Sequence, residues 1–186
     1  MNRRVRHALA TLIAVVAAAI LAACGSSTPS HTPVTPASNF SSPEDGIAFG
    51  APKGATVDRG KGEQVVVLRR GESTLTISRF ERDERLPGSH RELERAARVL
   101  QREYVRLDGA EDPNGFSQAT TATIAGHEAV VIDVTTADKT IEHVHFYEYG
   151  SEIVIDTVAP TSDVKKARFT LFDPVLSTLK ITEPQD

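Results

Sequence analysis

The stretch TIEHVHFYEYGSEIVIDTV, from Thr140 to Val158, decides the fold. Two runs rich in β-branched and aromatic residues, Thr140–Tyr149 and Glu152–Val158, flank a Gly150-Ser151 turn, which is the pattern of a β-hairpin. Side chains alternate along a strand, so His143, His145, Tyr147 and Tyr149 share one face with Ile141. Glu142, Val144, Phe146 and Glu148 take the other face and form no acid–base pair by position. Asp156 is the one acid inside the apolar run IVIDTV and is expected to face solvent or a donor on a neighbouring strand.

Working outward, the same alternation recurs. Phe116–Ile124 turns at Ala125-Gly126-His127 into Glu128–Thr136, and a loop at Ala137-Asp138-Lys139 leads into the hairpin, giving an antiparallel meander. Nearer the amino end, Gly46–Pro52 predicts a short first strand, and Glu63–Arg70 with Ser73–Glu81 predicts a hairpin around Gly71-Glu72. Downstream, Thr161–Leu179 predicts a helix capped by Thr161 or Ser162, with a kink or restart at Asp173-Pro174, before a closing strand at Lys180-Ile181-Thr182. Runs of strands with one helix inserted and another at the end predict an α+β fold, an antiparallel sheet with helices packed on its faces.

The inserted helix carries the clearest surface signal. Ser89-His90-Arg91-Glu92 is a capping box, and Asp108-Gly109 is a stop. Leu93, Ala97, Leu100, Tyr104 and Leu107 fall on one arc of the helical wheel, about 80° wide. Arg91, Arg95, Arg98, Arg102 and Arg106 fall on a second arc of about 80°, opposite the first. The plain expectation for such a row is a solvated face partly paired with Glu94 and Glu103. The functional one is a candidate contact for polyanions: phospholipid headgroups, phosphorylated glycans or an acidic partner surface.

The amino end fixes the compartment. Arg3, Arg4 and Arg6 precede an apolar run from Ala8 to Ala23 broken only by Thr11, the layout of an export signal. Leu21-Ala22-Ala23-Cys24-Gly25 follows directly and resembles the lipobox of bacterial lipoproteins. That resemblance implies cleavage after Ala23, a diacylglyceryl thioether on Cys24 and acylation of the new amino terminus with chains such as palmitate. The expected organisation is a signal peptide at 1–23, a flexible Ser/Thr/Pro-rich tether at 24–43 and a folded domain at 44–183.

Composition narrows the function. One cysteine among 186 residues excludes a disulfide framework, a CxxC redox pair and a multi-cysteine zinc site. The formal charge is −4, and loss of the three signal arginines takes it to −7, which argues against a nucleic-acid partner. No GxSxG elbow, phosphate loop, GxGxxG, HExxH or EF-hand pattern is present. Ser73, Ser117 and Ser151 lie near turns without a histidine and acid at recognisable spacing. His143 and His145 would begin a metal site only if His127, Glu128 or Asp133 approached from the adjoining strand. The expected alternative is a pair of semi-buried imidazoles on an aromatic-lined face.

The element order completes the reading. GIAFGAPKG, IAGHEAVVIDV, HVHFYEYGSEIVIDTVAP and the terminal VLSTLKI together resemble the PsbP-like α-β-α sandwich domains, including the LpqN/LpqT type of actinobacterial lipoproteins and DcrB-like lipoproteins. The resemblance implies a sheet of about seven or eight strands between helices, in a family of adaptor and binding modules, some linked to cell-envelope biogenesis. Ala55-Thr56-Val57 stand where the family's opening usually has a bulky aromatic, and no functional residue is carried over. The expectation is a non-enzymatic, cofactor-free binding module, lipid-anchored through Cys24 on the extracytoplasmic face of the membrane. Its partner is an envelope protein, lipid or glycan, met through the arginine row or through the face of His143, His145, Tyr147 and Tyr149. The alternatives are a metal-binding lipoprotein using His143 and His145, and an envelope hydrolase.

Overall fold

The burial pattern along each strand reports how many of its faces are covered. The computed structural model describes residues 38–107 and 119–185. In chain order the strands are β1 Ser38–Ser42, β2 Ile47–Ala51, β3 Thr56–Arg59, β4 Gln64–Arg70, β5 Ser73–Glu81, β6 Thr120–Ile124, β7 His127–Thr135, β8 Lys139–Glu148, β9 Ser151–Pro160 and β10 Lys180–Ile181. Every residue of β8 from Ile141 to Phe146 is buried, as in a strand covered on both faces. In β5 the alternation is strict: Ser73, Leu75, Ile77 and Arg79 are buried and Thr74, Thr76, Ser78 and Phe80 half-exposed. One side of the sheet is therefore fully covered and the other only in part.

Seven strands form one antiparallel sheet in the order β3-β4-β5-β9-β8-β7-β6. A helix α1 (His90–Leu107) lies over β7 and β6 on one face. Leu93 and Ala97 pack there on Val130, Ile132, Val134 and Ile141, with Leu100 and Tyr104 partly buried beside them. The opposite face carries the larger core, closed by β1-β2-β10 and by the C-terminal helix α2. The architecture is an α+β sandwich with a helix on each face of the sheet.

Helix α2 opens at Val164–Ala167, passes through a π-helical turn at Arg168–Phe172 and closes at Asp173–Thr178. The expected restart at Asp173-Pro174 takes this form. Pro174 has no N–H to give the carbonyl four residues earlier, that of Thr170. Arg70 Nη1 supplies the missing donor to Thr170 O at 2.5 Å, so the irregular turn is satisfied from the sheet.

Two local features depart from the sequence reading. The tether does not run to residue 43: Ser38–Ser42 is a strand, paired with β2 in register from Ser38↔Ala51 to Ser42↔Ile47. A single aromatic in a Ser/Thr/Pro stretch shows no hydrophobic period, yet Phe40 stacks on Phe49 with ring centroids 4.9 Å apart and joins the core. The short edge strand Thr56–Arg59 also went unpredicted, because only Val57 in it is apolar. Gly46, just before β2, is required: at φ 64° a Cβ would sit 2.1 Å from the Thr182 carbonyl oxygen.

The predicted signal peptide, Cys24, Ser117 and the predicted helix stop at Asp108-Gly109 lie outside the described residues, as do residues 116–118 of the predicted strand Phe116–Ile124 and the side chain of Arg106. Among the described residues, no helix is long and apolar enough to cross a membrane. Phe40→Ala should lower the urea-unfolding free energy by about 3 kcal/mol. A residue in a free tether would leave it unchanged.

Candidate functional site

Helix α1 is built as its sequence predicts. The Glu92 amide donates to Ser89 Oγ at 3.4 Å, and Ser89 Oγ and the Gly88 amide donate to Glu92 Oε2 at 3.1 and 3.0 Å. These bonds hold the Glu92 carboxyl below its usual range. The helix thus starts at one rotational setting. Its apolar arc meets β7, and its arginine arc points away from the sheet.

Arg91, Arg95, Arg98 and Arg102 are all exposed. Among the described residues, none of the four hydrogen-bonds or ion-pairs with a carboxylate. The pairing expected with Glu94 is absent; that carboxylate lies 3.7 Å from His90 Nε2 instead. Beside the row, Val99 is 53% exposed. It helps line a groove of about 330 Å³ together with Arg85, Leu86, Pro87, Arg95 and Ala96. Glu92 also lines it and lies 3.0 Å from Arg85 Nη2. Sequence reading missed this groove, although Val99 breaks the polar arc of the wheel and so left a signal.

The predicted ligand face lies elsewhere. His143 and His145 are 5% and 2% exposed, because α1 covers them. The Tyr104 ring stacks on His143 with centroids 3.7 Å apart and tilts over His145 at 5.6 Å. Tyr147 is half-buried at the same edge. Tyr149 does not belong to this face: β8 ends at Glu148, and Tyr149 and Gly150 form a two-residue turn with φ of 50° and 70°. Left-handed backbone at both turn positions swings the Tyr149 ring into solvent, where it is half-exposed.

Beneath α1 the imidazoles find carboxylates on β9. His143 Nδ1 lies 2.7 Å from Asp156 Oδ1, its direct cross-strand partner, so Asp156 takes a neighbouring strand's donor as expected. His145 Nδ1 lies 2.8 Å from Glu152 Oε1, one pair further along. Arg82 holds the other Glu152 oxygen through Nε at 3.1 Å and through Nη2. Burial pushes Glu152 up, but His145 and Arg82 outweigh it and bring its carboxyl down to about 2. Burial and the same carboxylate push the Tyr147 hydroxyl above its usual range. A carboxylate at Nδ1 keeps a proton on that nitrogen, which leaves His145 Nε2 as the second polar atom of the ring. It is buried and has no hydrogen-bond partner among the described residues.

The metal alternative loses its third ligand. Register pairs Ile132 and Val130 with His143 and His145, so His127 and Asp133 alternate onto the opposite face. There His127 Nδ1 meets Glu148 at 2.6 Å, and Asp133 meets Arg168 at 3.4 Å. Glu128 lies 3.4 Å from His90 at the sheet end. No group of three or more His, Cys, Asp and Glu among the described residues could hold a metal ion. The serines expected near turns are structural where described: Ser73 is buried, and Ser151 Oγ accepts from buried Arg79 Nε at 3.1 Å.

With the fold in place, its likeness can be named. Cyanobacterial PsbP from Synechocystis superposes with a TM-score of 0.54 at 15% identity, over 78% of this chain and 92% of that one. The fold is PsbP-like. LpqN of Mycobacterium tuberculosis, described as involved in cell envelope biogenesis, superposes with a TM-score of 0.50 at 13% identity, over 78% of this chain and 84% of that one. Scans of the sequence against family models and against curated proteins return no match. At these identities the PsbP-like likeness speaks to the fold alone.

A second buried group sets a pH dependence. Glu142, on the α2 face, binds Arg168 and neighbours Asp133. Burial raises its carboxyl to about 7 despite Arg168, and Asp133 adds to the rise. A folded-state value above the unfolded one means that folding favours the protonated form. The contribution of Glu142 to stability is therefore greatest below its ordinary range near 4.5 and declines as pH rises to about 7. Glu142→Gln should flatten that part of the urea-midpoint profile, while the Glu152 contribution, lost as pH falls from about 4.5 toward 2, stays in place. Parallel profiles for wild type and variant across pH 4.5–7 would contradict this.

Proposed function

We propose that the protein is a lipid-anchored, non-enzymatic binding module on the extracytoplasmic face of the cell membrane, and that the outer face of α1 is its anion contact. One observation carries the reading: four arginines stand on one exposed helix face, and among the described residues none hydrogen-bonds or ion-pairs with a carboxylate, Glu92 acting on Arg95 only at longer range. Exposed arginines normally find local partners or lie scattered. Here they repeat at i, i+4, i+7 and i+11, and each i,i+4 pair of like charges costs a few tenths of a kcal/mol. A row kept at that cost inside a mature chain of net charge −7 makes a local positive field on an acidic body.

Supporting the envelope placement are the lipobox at Leu21–Cys24 and the shared fold with LpqN. Supporting a non-catalytic role is the use of the described polar groups. The imidazoles under α1 are tied to carboxylates and stacked on Tyr104, and Ser151 is tied to Arg79, an arrangement suited to holding a helix.

Two tests separate the anchor from the contact. Cys24→Ala should abolish incorporation of labelled fatty acid and release the protein from the membrane fraction; unchanged labelling would refute the anchor. Arg95→Glu combined with Arg102→Glu should weaken retention on an immobilised polyphosphate by about thirtyfold, since two of the row's cations each contribute about 1 kcal/mol at an anionic surface. Equal retention of both proteins would refute the contact.

A further inference from the structure

The occupant of the arginine row can be inferred from what surrounds it. All the cations of the row are arginines, although the chain also holds six lysines. The guanidinium fork matches a phosphate diester with two parallel hydrogen bonds, which a lysine ammonium does not. From Arg91 to Arg102 the row spans about 16 Å at 1.5 Å per residue. It lies along the crest of a helix, a convex shape suited to a broad surface more than to a small anion.

The second observation is apolar. Val99 is 53% exposed at the edge of the row, and the adjoining groove places Leu86, Pro87 and Ala96 next to Arg95. Val99 beside the arginines gives the pairing an interfacial helix uses, with cations at the phosphates and an apolar group at the acyl boundary. An acidic protein surface would reward the arginines alone, whereas a bilayer interface also takes up Val99.

The third concerns reach. Residues 24–37 precede the first described strand, and fourteen residues can span at most about 50 Å. Strand β1 sits in the layer across the large sheet from α1, and packed layers lie about 10 Å apart. Fourteen residues are therefore enough chain for α1 to face the bilayer. Summed over the rest of the mature chain the charge is acidic, so the row is a cationic strip on an acidic body. Charge thus favours the row toward an anionic bilayer.

We propose that α1 seats the domain on anionic phospholipid of the bilayer that holds its own anchor, with Arg91, Arg95, Arg98 and Arg102 on headgroup phosphates and Val99 entering the interfacial layer. The proposal rests on the anchored reading above. It makes the module face-down on its membrane, leaving the α2 side, with exposed Phe169, Lys165 and Lys166, toward the envelope space.

The test uses the mature full chain in vesicles. Once Cys24 carries its thioether, Val99→Cys is the single free thiol and takes a nitroxide label. In phosphatidylcholine vesicles containing phosphatidylglycerol, the label at 99 should lose several-fold in collision with a water-soluble nickel chelate and gain in collision with oxygen. In phosphatidylcholine alone it should stay in water, as should a label at Tyr149→Cys in either vesicle. Adding Arg95→Glu and Arg102→Glu should return the label at 99 to water, with thermal unfolding unchanged. A label at 99 that ignores phosphatidylglycerol overturns the proposal, which is also the outcome if the row serves an acidic protein or a phosphorylated glycan. Failure of the anchor is read separately, as protein that does not float with phosphatidylcholine vesicles and lacks the lipid mass. For such a chain, labelled after Cys24→Ala, phosphatidylglycerol vesicles should still bury the label at 99, and an unchanged label overturns the proposal there too.

Discussion

The pairing of β8 with β9 is the constraint on which the other layers depend. Its register runs unbroken from Lys139↔Pro160 to Glu148↔Ser151, and both strands carry large apolar side chains on each face. A one-residue slip would move Val144 and Phe146 to the α1 side and drive His143 and His145 into the larger core. Two covering layers follow directly. Val144, Phe146, Ile153 and Ile155 need α2 and the small sheet over them, while Ile141 and its β7 neighbours need α1.

The same register explains why polar groups sit under α1. His143 faces Asp156 across the strand pair, and His145 reaches Glu152 on the diagonal, so each imidazole has a carboxylate before the helix arrives. Tyr104 then covers them by stacking. This polar layer fixes which side of α1 faces inward, and the opposite side, with its arginines, is thereby turned to the outside. Surface chemistry on one face of the helix is set by packing on the other.

Much of this was legible in the sequence, because period-two and 3.6-residue patterns report burial directly. The Ser73–Glu81 alternation, the capping box and the opposed arcs of α1 were readable for that reason. What escaped depended on partners distant in sequence. Phe40 acquires meaning only beside Phe49, and β1 hid in a run of Ser, Thr and Pro. Tyr149 looked like the next residue of a strand, but two left-handed turn positions remove it from the face it nominally shares. The histidine pair was correctly placed on one face, yet no local pattern says that a helix ending some forty residues earlier lies on top of it. Cys24 and the side chain of Arg106 fall outside the described residues.

The central claim is that α1 lies on the β7–β8 face with Tyr104 over His143 and its arginines outward. Nuclear Overhauser spectroscopy on the isotopically labelled protein tests it most directly. Rings whose centroids lie 3.7 Å apart must give strong cross-peaks between the Tyr104 and His143 ring protons. His143 should in addition react with diethyl pyrocarbonate far more slowly than exposed His90. Absence of those cross-peaks together with equal reactivity of the two histidines would mean that α1 does not cover this face, and the assignment of its outer face would fall with it.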